Sequence, residues 1–398
     1  MKKMIKTGII LMLSMALLLP VAGCGEETQG LEQSEETEDA STEPNRWLKY
    51  LRILPENETT LAGACIQTSD YTDILQGYYA EQPEEPILPV EQLAFNNLQL
   101  FNNRSYTDEE WKNTLGFTID DVTATIIATA GPPSEYQAIY GTFTAEDIET
   151  AAKTGPLQEH LEIKSHAGFE YYSWGEDRAI HMDWRSNIRN LGRGHRLAYV
   201  DGFALWMIWT EGVESMIDAY AGNVPSLADK EDYQLLAAEL EKTGVVTAFF
   251  SSEVLSLTEF IERTREHLTD VEGSAFEEQN PLGNEPLLKP FSSFVTGAGE
   301  DENGRYMVII LLNPDEKTAE DNVSLLEARI NESEMFPHTT NPDMRNIKWT
   351  DDDAIESIEI TSRGRFTIAK LYSEVIYRWK YFHYWGTIGP YVPLLLHE

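Results

Sequence analysis

The stretch HRLAYVDGFALWMIW, residues 195–209, decides the fold because it holds two β-strands and the turn between them. Apolar and aromatic residues fill both arms, as is typical of strands in a sheet. Asp-Gly between two such runs is among the strongest short-range signals for a tight hairpin turn, and it stands here at residues 201–202. Because the strands of a hairpin pair antiparallel, the stretch predicts an antiparallel sheet.

Similar elements recur on both sides of this hairpin, without the regular alternation of strand and helix that builds a parallel sheet. A strand, a hairpin partner and a helix are predicted, in that order, over residues 120–131, 135–143 and 144–155. Thr144 and Asp147 form a capping-box pattern at the start of that helix. The same order returns over residues 290–299, 302–313 and 316–333. We therefore expect an α+β fold of two similar units, each a mainly antiparallel sheet with helices packed on one face.

A targeting segment precedes the folded part. Lys2, Lys3 and Lys6 carry positive charge, and an apolar run follows over residues 9–19 and stops at Pro20. This run is shorter than the roughly 20 apolar residues that a membrane-spanning helix needs. A positive start and a short apolar core are typical of a secretory signal peptide.

Val21-Ala22-Gly23-Cys24 follows the apolar run and resembles the lipobox of bacterial lipoprotein precursors. The resemblance implies a signal peptide over residues 1–23 and a mature protein that begins at Cys24. It also implies a diacylglycerol on the Cys24 sulfur, with palmitate-like acyl chains, that holds the protein to the extracytoplasmic face of the cell membrane. An ordinary signal peptide that leaves Cys24 as an incidental thiol is the alternative.

Charge and composition divide the rest of the chain into an acidic tether and two predicted folded units with a linker-like stretch between them. Residues 24–45 carry many acidic residues and no basic one, which predicts a disordered tether because like charges repel and little apolar surface can be buried. We expect a first α+β unit over residues 46–270, a linker-like stretch over 271–286 and a second α+β unit over 287–398. The tether would hold the folded units away from the membrane.

The whole chain is strongly acidic and poor in cysteine. Its 67 acidic and 30 basic residues give a formal net charge of −37, which excludes the basic surface that nucleic-acid binding requires. With Cys24 acylated, Cys65 is the other cysteine of the chain and lies in the apolar segment LAGACIQ. We expect Cys65 to be a buried small hydrophobic residue.

The motifs of common enzyme classes do not occur in the sequence. It contains no GxSxG, HExxH, P-loop, GxGxxG or CxxC pattern, which favours a non-catalytic role without a cofactor. His181 and Asp183 could ligate a metal ion together with His195, but we interpret them as polar loop residues and expect no metal site. Acidic clusters at residues 299–304 and 351–353 could hold calcium, although we interpret both as acidic turns.

Aromatic residues near the carboxyl end form the candidate binding face. On a strand, alternate side chains share one face, and this alternation brings together Tyr377, Trp379, Tyr381 and Trp385, with His383 among them. An exposed aromatic face binds carbohydrates and peptides by stacking, whereas a covered one belongs to the core.

A second aromatic string, WGEDRAIHMDWRSNIR, places Trp174 and Trp184 near three arginines. Aromatic rings and arginines in one short segment suit either a core contact or a recognition surface. The sequence does not favour one of these over the other.

These observations predict a lipid-anchored extracytoplasmic protein that acts as a binding or interaction module at the cell envelope. Its partner would be an envelope protein, a peptide or a carbohydrate. One alternative is a solute-binding lipoprotein of an importer, although such proteins are usually built from parallel sheets. The other is an envelope hydrolase with an unrecognised site.

Overall fold

The computed structural model describes residues 45–70, 73–74, 108–129, 135–186, 188–267, 286–332, 355–373 and 393–398. Eight α-helices lie within these residues: α1 Arg46–Leu51, α2 Glu58–Ala62, α3 Asp108–Leu115, α4 Ala145–Thr154, α5 Thr210–Ala221, α6 Glu231–Glu241, α7 Leu257–His267 and α8 Glu316–Glu332. Not one of these described helices has the length and apolarity that crossing a membrane needs.

Twelve strands of the described part of the chain are β1 Ala64–Thr68, β2 Val122–Thr129, β3 Glu135–Gly141, β4 Leu161–His166, β5 Phe169–Trp174, β6 Arg196–Val200, β7 Phe203–Met207, β8 Thr247–Ser251, β9 Ser293–Asp301, β10 Gly304–Leu312, β11 Ser357–Arg363 and β12 Phe366–Tyr372. They form one sheet in the order β11-β12-β10-β9-β8-β1-β2-β3-β7-β6-β5-β4. Neighbouring strands pair antiparallel throughout. The α+β class with a mainly antiparallel sheet is therefore confirmed.

The hairpin of β6 and β7 forms where the Asp-Gly signal predicts it. Asp201 and Gly202 have φ angles of 45° and 85°, which are the left-handed conformations that a type I′ turn requires at both central positions. Val200 stands opposite Phe203 next to the turn. A Cβ atom at position 202 would lie 2.8 Å from the Tyr140 ring, so glycine also permits this close approach.

The repeated order of elements is present in the structure. The hairpin β2–β3 is followed by α4 and the hairpin β4–β5, and the hairpin β9–β10 is followed by α8 and the hairpin β11–β12. In the second set β12 pairs directly with β10. In the first set the hairpin β6–β7 lies between β3 and β5. The first set therefore contains one more hairpin than the second.

Two features of the arrangement differ from our expectation. The two sets share one sheet, because β8 pairs with β1 on one side and with β9 on the other. Helices also cover both faces of the sheet instead of one, since an amphipathic element on either face buries the apolar side chains that strand alternation places there. Nearly all of the predicted linker, residues 271–286, lies outside the described residues, and the domain boundaries stay predictions.

One face of the sheet is covered by α1, α5 and α6. Their buried residues pack on alternate strand residues, with Trp47, Val213 and Tyr233 against Ile66 and Leu205. This cluster extends from β12 to β5, so it includes strands of both sets. It is the largest apolar layer among the described residues.

The opposite face carries two separate apolar clusters. Near β2 and β7, α3 and α4 contribute Trp111 and Ile148. Near β9 and β12, α8 contributes Leu326 and Ile330 to a cluster that also contains Cys65. Cys65 is 2% exposed, which confirms that it is a buried small hydrophobic residue.

Phe250→Ala tests the central part of the sheet. Phe250 is fully buried on β8, and its ring centroid lies 5.5 Å from that of Tyr233 on α6. We expect the free energy of unfolding to fall by about 3–5 kcal/mol, because the change leaves a cavity between sheet and helix. Urea denaturation measures the loss, and the exposed Ile163→Ala is the matched control. A loss below about 1 kcal/mol would contradict this account of the core.

Candidate functional site

Several residues singled out in the sequence lie outside the described residues. These are Cys24 and the candidate aromatic binding face of Tyr377, Trp379, Tyr381 and Trp385. Their roles in lipid attachment and in ligand binding stay predictions. The acidic cluster at residues 351–353 also lies outside the described part of the chain.

The histidines considered as metal ligands belong to two different stacks. His195 is buried and stacks on Trp206 with ring centroids 4.1 Å apart. His181 stacks on Trp184 at 3.9 Å, while Asp183 is exposed. Within the described residues, no group of three histidine, cysteine, aspartate or glutamate side chains is arranged to hold a metal ion.

In the acidic turn at residues 299–304, the carboxylate of Asp301 is hydrogen-bonded to side chains of β12. Asp301 accepts hydrogen bonds from Lys370 at 2.9 Å and from Tyr372 at 3.2 Å. These bonds, with one from the Asn303 backbone, lower the pKa of the Asp301 carboxyl against the opposing effect of its burial. The carboxylate therefore stabilises the end of the β9–β10 hairpin.

Between β5 and β6, the described residues 175–186 and 188–194 fold back on one another; we call this segment the arginine loop. The Gly194 N–H donates to the Ala179 carbonyl oxygen and the His181 N–H to the Gly192 carbonyl oxygen, each at 3.3 Å. Gly192 has a φ of 62°, and a Cβ atom there would lie 1.7 Å from the His181 carbonyl oxygen. Only glycine permits this reversal.

Five arginines lie in the arginine loop and at the first position of β6: Arg178, Arg185, Arg189, Arg193 and Arg196. The segment of residues 175–196 contains only three acidic residues. It is thus a positively charged region in a chain whose formal net charge is −37. Such a region attracts anions to a surface that otherwise repels them.

Arg189 is the buried arginine of the loop and lies among aromatic rings. Only 5% of the residue is exposed. Its guanidinium carbon lies 4.9 Å from the ring centroid of Trp174 and 5.2 Å from that of Trp206. Nη1 lies 3.2 Å from Nδ1 of His195, and because a guanidinium can only donate, this contact requires an unprotonated Nδ1. We call these four residues the arginine–tryptophan cluster.

No carboxylate of the described residues forms an ion pair with Arg189. Burial alone lowers the pKa of its guanidinium to about 9, so the group still carries its charge at neutral pH. A buried charge without a counter-charge destabilises the folded state. The contacts with two indole faces offset part of this cost, since a desolvated cation–π contact contributes about 2 kcal/mol.

His195 is neutral at the pH where Arg189 is charged. Burial lowers the pKa of His195 well below 6.5, and the positive charge of Arg189 lowers it further. The neutral ring can stack on Trp206 and accept the guanidinium N–H. Arg189 and His195 therefore form a pair in which one positive charge is held on the arginine.

Arg196 points to the opposite face of the sheet and has oxygen partners. Its Nη2 lies 2.5 Å from Oδ1 of Asp177 and donates to the Gly175 carbonyl oxygen at 3.0 Å. Oδ1 of Asp177 also accepts from the backbone N–H of Thr210 at 3.0 Å. Thr210 begins α5, so this network fixes the start of the arginine loop to that helix.

The arginine–tryptophan cluster could be read from the sequence only in part. The sequence of residues 174–189 indicated Trp174 and three arginines as part of either a core contact or a recognition surface. Strand alternation on β6, together with the register that sets Leu197 opposite Trp206, accounts for His195 and Trp206 on the same face. The contact of Arg189 with both tryptophans depends on the path of the loop, which no sequence pattern signals.

Comparisons with known proteins give a distant structural likeness. No family model and no curated protein matches the chain. Crystal form I of TP0453 is 10% identical with a TM-score of 0.38, and it aligns over 85% of this chain and 97% of its own. Crystal form III of TP0453 is 9% identical with a TM-score of 0.36, over 81% of this chain and 94% of its own.

His195 makes stability depend on pH in the acid range. The folded state keeps His195 neutral while the unfolded chain binds a proton below about pH 6.5. The free energy of unfolding therefore falls as the pH drops through that value, by up to about 1.4 kcal/mol per pH unit for one proton. Urea denaturation between pH 7.5 and 5 should show a smaller slope for His195→Asn. The exposed His160→Asn is the control, and equal slopes for wild type and His195→Asn would contradict the assignment.

Asp177→Ala tests the network that fixes the arginine loop to α5. The variant leaves the buried Arg196 without its carboxylate and removes an acceptor at the helix start. We expect a loss of about 1–2 kcal/mol, moderate because Asp177 itself is partly exposed to water. Asp183→Ala, which alters an exposed carboxylate of the same loop, should change stability by less than about 0.5 kcal/mol. Equal effects of the two changes would argue against the network.

Proposed function

We propose that the mature protein is a bacterial lipoprotein, anchored by a diacylglycerol on Cys24, whose folded part binds a ligand or partner at the cell envelope. The anchor is supported by the order of the leader: a positive start, an apolar run, and small residues before Cys24. Two acyl chains on one residue hold a protein stably to a bilayer, whereas a single chain binds only marginally.

The binding role is carried by the buried charge of Arg189. A protein with 67 acidic residues has many carboxylates that could neutralise an internal arginine. Arg196 has such a partner within the described residues, and Arg189 has none. A buried cation without a counter-charge among the described residues suits a site whose counter-charge is supplied from outside.

The antiparallel sheet bears on the importer alternative. Solute-binding lipoproteins of importers are usually built from two lobes with parallel sheets, and the described strands here pair antiparallel. A binding or interaction module needs no particular sheet type. We therefore retain the binding module as the proposed function.

Cys24→Ala tests the anchor. Cells that express the wild-type chain and are fed an alkyne-tagged palmitate should incorporate the label into the protein, and the Cys24→Ala chain should carry none. Cys65→Ala is the matched control, because it removes the other cysteine and should leave the label unchanged. An unlabelled wild-type protein released into the medium would rule out lipid anchoring.

A further inference from the structure

We propose that Arg189 is the receptor for a carboxylate group of the ligand, bound at the edge of the guanidinium within the arginine–tryptophan cluster. This inference rests on the binding role proposed above and names the chemical class of what is bound. The carboxylate can belong to a small organic acid or to the free carboxyl terminus of a peptide. Both present the same planar anion to Arg189.

The first argument compares Arg189 with the other buried arginines. Arg196 meets Asp177 at 2.5 Å, and Arg305 lies 3.9 Å from Glu300. Arg329 donates to the carbonyl oxygens of Leu394 at 2.7 Å and Pro286 at 3.0 Å. Each of these three has an oxygen atom as its ion-pair or hydrogen-bond partner. Within the described residues, the polar partner of the Arg189 side chain is the Nδ1 nitrogen of His195.

The second argument is the excess of donors in the cluster. A guanidinium has five N–H donors and no acceptor, and within the described residues the polar contact of the Arg189 side chain is with His195. Nε1 of Trp206 is also buried without a hydrogen-bond partner in the described part of the chain. A cluster whose donors outnumber the acceptors that the described residues provide is suited to an anionic ligand.

The third argument selects a carboxylate among anions. The guanidinium contacts the rings of Trp174 and Trp206, and its N–H groups donate in the plane of the guanidinium. A carboxylate is planar and accepts two parallel N–H bonds from a guanidinium edge, in the same plane. A tetrahedral phosphate places oxygens outside that plane. The geometry therefore favours a flat anion.

The surrounding charge supports the approach of such a ligand. Arg178 and Arg185 are exposed on the same loop, and Arg193 is partly exposed. Positive charge around a recessed cation raises the local concentration of anions and the rate of association. The positive charge of the arginine loop therefore favours the approach of anions to Arg189.

The test measures the melting temperature of the full chain, purified in a nonionic detergent, against sodium acetate with sodium chloride at equal ionic strength as the reference. A ligand at about ten times its Kd should raise the melting temperature by roughly 2 °C. Acetate should give this saturable rise in wild type. Arg189→Met should melt higher than wild type without ligand, because it removes a buried unpaired charge, and should show no acetate effect.

Two further variants separate a specific receptor from general charge. Arg178→Met removes an exposed arginine of the same loop that lies 4.8 Å from the Trp209 ring centroid, and it should keep the full acetate response. Arg189→Lys keeps the charge but loses the planar edge, so its response should be reduced. If Arg189→Met does not fold, the contrast of Arg189→Lys with Arg178→Met still separates a specific receptor from general charge.

Two further ligands identify the source of the carboxylate. Acetyl-Gly-Gly with a free carboxyl terminus is compared with its carboxamide; a lower Kd for the acid than for acetate supports a peptide, and equal values support a small organic acid. Identical responses to acetate and chloride, an unchanged response in Arg189→Met, or a stronger response to phosphate would overturn the proposal. None of these outcomes depends on the palmitate label, so failure of the receptor and failure of the anchor are distinguishable.

Discussion

The pairing of β1 with β8 is the contact on which the sheet depends. Cys65 on β1 stands opposite Phe249 of β8 on one side and Ile127 of β2 on the other. Because β8 in turn pairs with β9, two short strands join the repeated sets. Both strands are buried along their whole length. Because this pair joins distant parts of the chain, its formation costs more loop-closure entropy than that of a hairpin. Once it is formed, the two sets share one apolar layer with α1, α5 and α6.

The two sets differ at the place where the candidate site lies. In the second set β12 pairs directly with β10, while in the first the hairpin β6–β7 separates β3 from β5. The arginine loop enters this additional hairpin, and two members of the arginine–tryptophan cluster, His195 and Trp206, come from its strands or their ends. The cluster therefore belongs to the part of the molecule that has no counterpart in the repeat. A scaffold that already holds its strands in place allows such an addition to carry a recognition site.

Local patterns in the sequence predicted the local structure well. The Asp201-Gly202 turn forms as a type I′ turn, and Thr144 and Asp147 cap α4 through a 2.8 Å bond from the Thr144 N–H. The repeated order of strand, partner and helix was also visible, because alternation and capping act within about ten residues. The union of both sets in one sheet could not be predicted, since the register of distant strands is set by packing across the whole core.

The candidate site was likewise predictable only in its local part. The sequence indicated Trp174 and the arginines as candidates. The burial of Arg189, however, depends on the path of the arginine loop over the sheet. Cation–π contacts also follow no sequence period.

The arginine–tryptophan cluster depends on which of its residues carries the positive charge. The positive charge is on Arg189, because burial drives the pKa of the neighbouring His195 down while Arg189 keeps its proton at neutral pH. The adjacent residues His195 and Arg196, the first residue of β6, then serve opposite purposes. Arg196 is neutralised by Asp177 on one face of the sheet, and His195 contacts on the other face an arginine that has no counter-charge among the described residues. An internal ion pair would have stabilised Arg189 permanently and closed it to other anions. Two indole rings stabilise the same charge only in part, and no carboxylate of the described residues completes it, which is the condition that a carboxylate from outside requires.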